Sequence, residues 1–129
     1  MEFPRKKTAA AATTKQAGDA AEERALAHLA DSGLRLLARN YRTPGRGGGE
    51  IDLVMREPGG TVVFVEVRKR SRSDFGGAAA SVSHAKQRRI VFAARHFLLR
   101  LGSPPPCRFD VVSIDPDGVA WLKAAFDAS

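Results

Sequence analysis

The stretch GEIDLVMREPGGTVVFVEVRKR (49–70) decides the fold class. Residues 50–55 alternate acidic and apolar side chains, as a half-buried strand does. Glu57-Pro58-Gly59-Gly60 is turn chemistry, and 61–69 is the strongest β-branched run in the chain. The two runs predict a hairpin. Upstream, 17–32 has helical spacing, with Ala21, Ala25, Leu26 and Leu29 on one face and Gly33 as the stop. A short strand is expected at 34–41, followed by the loop TPGRGGG (43–49), whose glycines suggest mobility or a close backbone approach to a ligand. That loop lacks the Gly-Lys-Ser/Thr of a phosphate-cradling loop.

Downstream, 70–82 is expected as a loop and 83–101 as a second helix. Ile90, Val91, Ala94, Phe97, Leu98 and Leu101 form its apolar face, and Gly102 and the prolines at 104–106 end it. Strands at 108–114 and 119–122 are joined by Asp115-Pro116-Asp117-Gly118. The order α-β-β-β-α-β-β predicts an α/β fold: one mixed five-stranded sheet flanked by two main helices. Residues 1–15 have no periodic apolar face and are expected as a disordered arm, leaving 16–129 as a single domain.

Composition narrows the function classes. The chain has 129 residues, of which 43% are hydrophobic and 27% charged, a balance suited to one globular domain. No apolar run approaches the ~20 residues that span a bilayer, and Arg5, Lys6 and Lys7 lead into no apolar stretch, which makes a poor signal peptide. The single cysteine, Cys107, excludes an internal disulfide and a multi-thiolate zinc site. A cytoplasmic location is expected. A net charge of +7 and a pI near 10.3 favour a phosphate polyanion as partner.

Charged residues inside strands are the informative exceptions, because an unpaired buried carboxylate is costly. Residues i and i+2 share a strand face, so Glu50 and Asp52 are expected together, with Ile51 and Leu53 on the other side. Glu66 and Arg68 share a face with Phe64. Pairing across the 57–60 turn would bring Asp52 and Glu66 close enough for one hard cation, or leave them as a solvated pair and an ion pair with Arg68. The second helix supplies a basic stripe of Lys86, Arg89, His96 and Arg100, and 83–101 contains no acid. The loop after Glu66 adds Lys69, Arg70 and Arg72. Such a surface holds a nucleic-acid backbone, or is a solvated helix face. His28, His84 and His96 have no ligand spacing to Cys107, which is expected as a packing residue. Tyr41, Phe75 and Trp121 are candidates for stacking, although Trp121 fits a core position. Asp110 is either the partner of Arg108 or a support for the acidic site.

GEIDLV (49–54), VFVEVRKR (63–70), GGAAASV (76–82), AKQRR (85–89) and RFDVVSI (108–114) together resemble the YraN-type family of small bacterial proteins. That family is assigned to the PD-(D/E)XK, restriction-endonuclease-like nuclease superfamily and is similar to archaeal Holliday-junction resolvases. The resemblance implies a metal-dependent endonuclease acting on structured or branched DNA, with Mg²⁺ or Mn²⁺ as cofactor and dimerisation as in the resolvases. Asp52 and Glu66 resemble the metal ligands, with the Val67 carbonyl as a further ligand and Glu22 as the helical acid that completes such sites. Arg68 stands where the motif has lysine. It can stabilise charge but cannot act as a base, and Lys86 is the better cation. The alternatives are a non-catalytic nucleic-acid-binding or scaffold domain on a degenerate nuclease fold, and an acidic-protein partner for the basic stripe.

Overall fold

The computed structural model describes residues 13–70 and 82–128. Helix α1 spans Thr14–Asp31, followed by β1 (Arg35–Arg42), β2 (Glu50–Arg56), β3 (Val62–Lys69), α2 (His84–Leu99), β4 (Cys107–Asp115) and β5 (Gly118–Phe126). The expected arm at 1–15 falls mainly outside the described residues. Its last part is corrected, because Thr13 accepts from the Gln16 N–H while the Gln16 side chain reaches back to the Thr13 N–H. This reciprocal cap starts α1 three residues earlier than apolar periodicity indicates.

The strands form one sheet in the order β1-β2-β3-β4-β5, with β3 and β4 parallel and the other pairs antiparallel. The sheet is therefore mixed and five-stranded, and α2 makes the crossover between the two parallel strands. The helices cover opposite faces. Ala21, Ala25 and Leu29 of α1 pack on Leu53, Met55, Val63, Val65, Val112 and Ile114. Ile90, Val91, Ala94 and Phe97 of α2 pack on Val54, Val62, Phe64, Phe109 and Val111. At ~25 cal/mol per Å² of buried apolar surface, these two layers supply the main drive for folding.

Three local features depart from simple periodicity. Ile51 packs with the α2 layer and Leu53 with the α1 layer, so the expected sharing of a face breaks at Asp52. The β2–β3 register runs only from Arg56↔Val62 to Leu53↔Val65, and beyond it the Val67 N–H donates to the Asp52 carboxylate at 2.8 Å. Strand β5 runs four residues past its expected end. The buried Asp110 accepts from the Ala124 N–H at 2.9 Å, where the β4–β5 register shifts and Ala124 has φ 51°. The loop at 43–49 is closed, not free: the Thr43 N–H donates to the Gly49 carbonyl, and the Thr43 hydroxyl accepts from the Gly49 N–H at 2.7 Å. The close approach expected of its glycines is to the protein itself, since a Cβ on Gly49 would sit 1.9 Å from the Arg89 carbonyl oxygen of α2.

Candidate functional site

β2 and β3 present two carboxylates where their hydrogen-bonded register ends. Glu66 is buried, with 3% of its side chain exposed, and Asp52 is largely buried beside it. The two are close enough to share a hydrogen bond, which requires a proton on one of them. Burial, and then the neighbouring Glu66 charge, push the Asp52 carboxyl up from 3.8 to about 7, against the opposing pull of the Val67 N–H and Lys86.

Cations come from two directions. Lys86 Nζ, on the first turn of α2, lies 3.3 Å from Glu66 Oε2, and the Arg68 guanidinium lies 3.7 Å from the same oxygen. Ser83 fixes the start of α2 by accepting from the Lys86 N–H at 3.1 Å, which sets where Lys86 can reach. Glu66 and Arg68 thus share a face as expected, and Lys69 is exposed on the other side of the strand. Arg70 donates its backbone N–H to Ile114, and Arg72 lies outside the described residues.

The carboxylates open on a pocket of about 380 Å³ whose walls include Arg42, Thr43, Gly48, Glu50, Lys86 and Arg89. Glu50 faces the same space as Asp52, as its spacing predicts, and is paired with Arg42 at 3.5 Å. The basic stripe of α2 divides. Lys86 and Arg89 reach this pocket, whereas His96 is hydrogen-bonded to the Tyr41 hydroxyl and Arg100 lies over the Tyr41 and Phe97 rings. Tyr41 is accordingly engaged at the edge of the core.

Glu22 approaches from α1. One of its oxygens lies 3.6 Å from Arg39 Nε and has no hydrogen-bond partner among the described residues. Burial, followed by the Asp52 charge, raises its carboxyl above the ordinary value. Glu22 is therefore an electrostatic neighbour of Asp52. Among the described residues, no three His, Cys, Asp or Glu side chains gather into a metal-binding group.

The other candidates lie elsewhere. Asp110 is the partner of Arg108, at 3.0 Å, and also accepts from Trp121 Nε1 at 2.8 Å. Trp121 packs edge-on to His28 in the α1 layer. Cys107, expected as a packing residue, is exposed at the start of β4, where that strand emerges from the proline run. Sequence reasoning missed Arg42 and the closure of the loop by Thr43. Thr43 lies six residues from Gly49 with no hydrophobic pattern to mark it, and only the fold brings Arg42 beside Glu50.

Residues 21–114 match the model of the family described as "Uncharacterised protein family UPF0102". The chain belongs to the UPF0102 family. It is 66% identical over 128 residues to a UPF0102 protein of Albidiferax ferrireducens, covering 99% of each chain. A UPF0102 protein of Paracidovorax citrulli is 70% identical over 116 residues, covering 90% of this chain and 86% of the relative. The UPF0102 match includes Glu22, Asp52, Glu66, Arg68 and Lys86 and stops at Ile114, ahead of β5. Among the described residues no helix is long and apolar enough to cross a membrane.

Proposed function

We propose that this UPF0102 protein is a metal-dependent endonuclease acting on structured or branched DNA, with the Asp52–Glu66 pocket as its catalytic site. The observation that carries this reading is a pair of neighbouring carboxylates, Glu66 buried and Asp52 half-buried, with Lys86 3.3 Å from Glu66, in a pocket bordered by Arg42 and Arg89. Burying two like charges side by side costs several kcal/mol unless positive charge joins them, and a proton or a dication meets the same need. The available ligands, Asp52, Glu66 and the Val67 carbonyl, are all oxygen, which suits Mg²⁺ or Mn²⁺ completed by water. Such an ion, when bound, supplies an activated water and neutralises charge on a phosphoryl group.

The chain's own groups do the rest. Arg42 and Arg89 hold backbone phosphates at the pocket rim. Lys86 keeps N–H donors free beside Glu66 to stabilise charge developing on a phosphoryl oxygen. Arg68 reinforces Glu66 electrostatically and stays charged throughout. The preference for branched DNA, and dimerisation, rest on the resemblance to junction resolvases. A second reading, a non-catalytic nucleic-acid-binding domain, is favoured by Arg68 in the lysine position. Cleavage of labelled four-way-junction, flap, duplex and single-stranded DNA with Mg²⁺ or Mn²⁺ decides between them. Cutting that disappears in Asp52→Ala and Glu66→Ala supports the nuclease. Salt-sensitive gel shifts in EDTA with no cutting in metal support the binding domain.

A further inference from the structure

Helix α2 has a second charged side that the carboxylate pocket does not use. Arg88, Phe92, Arg95 and Leu99 follow one another at spacings of four, three and four, so they line one side of the helix, roughly a third of a turn away from Lys86 and Arg89. Phe92 is 53% exposed and Leu99 81% exposed. Phe92 thus presents an aromatic surface to solvent between two arginines of the same helix side. Arg88, Phe92 and Arg95 also line a groove of about 440 Å³, together with His84, Gln87 and Asp127.

We infer that this groove binds a segment of single-stranded nucleic acid, with a base stacked on Phe92 and phosphates held by Arg88 and Arg95. Stacking on an aromatic ring within a basic groove is how proteins hold unpaired bases without reading their identity. The two guanidiniums start about 10 Å apart along the helix, on either side of the ring, and outnumber the single Asp127 carboxylate. A duplex keeps its bases stacked on one another and cannot offer one to the ring. A second copy of this chain fits less well, because a two-fold contact would bring Arg88 and Arg95 of each protomer against the same patch of the other, in a chain of net charge +7. The groove lies apart from Asp52 and Glu66 and acts whether or not they cleave, although it shares with the nuclease reading the premise that the ligand is nucleic acid.

The test is fluorescence anisotropy with a short labelled oligothymidylate in EDTA, a duplex of equal length as competitor, and thermal melting of every variant. Wild type is expected to prefer the single strand. Phe92→Leu, which keeps the apolar bulk but loses the ring, is expected to weaken binding about tenfold with an unchanged salt slope. Phe92→Trp is expected to retain binding. Arg88→Gln and Arg95→Gln are each expected to lower the salt slope by about 0.7. Equal affinity of Phe92→Leu and wild type would overturn this groove while leaving the carboxylate pocket's function open to its own cleavage test. Wild type binding neither the single strand nor the duplex would overturn the groove, and cleavage of branched DNA in metal would still decide the carboxylate pocket. A dimer in sedimentation that Phe92→Leu dissociates, with nucleic-acid binding unchanged, would assign the face to a second copy and overturn the inference.

Discussion

Replacing Asp52 by asparagine should make the protein more stable at pH 8 while leaving it unchanged near pH 4. The amide reproduces the protonated acid: its oxygen can accept from the Val67 N–H, as Asp52 does at 2.8 Å, and its nitrogen can donate to Glu66. In the wild type that arrangement needs a proton, which the folded Asp52 keeps up to about 7, whereas an ordinary aspartate releases it near 3.8. Between those values the folded state binds more protons than the unfolded state. The stabilisation is therefore present in full below about pH 4 and is lost as pH rises to about 7. At about 1.4 kcal/mol per pH unit the gap is worth roughly 4 kcal/mol, which Asp52→Asn retains at every pH. Urea unfolding followed by the fluorescence of Trp121 measures the difference between wild type and variant at pH 4, 6 and 8. A difference growing from near zero to about 2–4 kcal/mol across that range supports the shared proton. Parallel stability curves would refute it. Adding Mg²⁺ or Mn²⁺ at pH 8 separates a further step: at about one hundred times its dissociation constant, an ion bridging the carboxylates stabilises wild type by about 2.7 kcal/mol and the variant far less.

Three further outcomes are expected. Lys86→Met removes the cation 3.3 Å from Glu66 and should lower kcat for DNA cleavage by about 10²-fold or more, with a smaller change in KM and partial recovery in Lys86→Arg; unchanged turnover would assign the supporting charge to Arg68. Gly49→Ala drives a methyl group into the Arg89 carbonyl and should destabilise by about 1–3 kcal/mol or more, whereas Gly59→Ala, with open space around it, should be close to neutral in the same thermal melts. Asp110→Ala leaves Arg108 and the Trp121 and Ala124 N–H groups without their carboxylate and should cost about 3–5 kcal/mol in urea unfolding.

Much of the fold was legible because both helices bury one face and the central strands are apolar runs buried on both faces. The β2–β3 hairpin follows from an alternating run before Glu57-Pro58-Gly59-Gly60 and a β-branched run after it, and α2 from its spaced apolar residues. Failures came where a side chain overrides periodicity: at Asp52, which takes the place of a backbone partner for Val67, at Asp110, which extends β5 around Ala124, and at the Thr13–Gln16 cap. At the site, Asp52 and Glu66 could be paired from their distances to one turn, since hairpin register is local. The division of the α2 stripe was not legible, because equal helical spacing does not reveal that β1 intercepts His96 through Tyr41. Arg42 was missed for the same reason.

The closure of the 43–49 loop onto α2 has a consequence for folding order. Every side chain lining the carboxylate pocket comes from one uninterrupted stretch, Arg42 to Ile90, and Gly49 is the point where its two ends touch. Pairing β3 with β4 joins Val62 to Cys107 across the whole of α2, a closure of similar length, but no residue lining the pocket lies on β4 or β5. The pocket can therefore assemble within the β2–β3–α2 unit before the last hairpin docks. Amide hydrogen exchange would register this as pocket amides whose protection survives local detachment of β5.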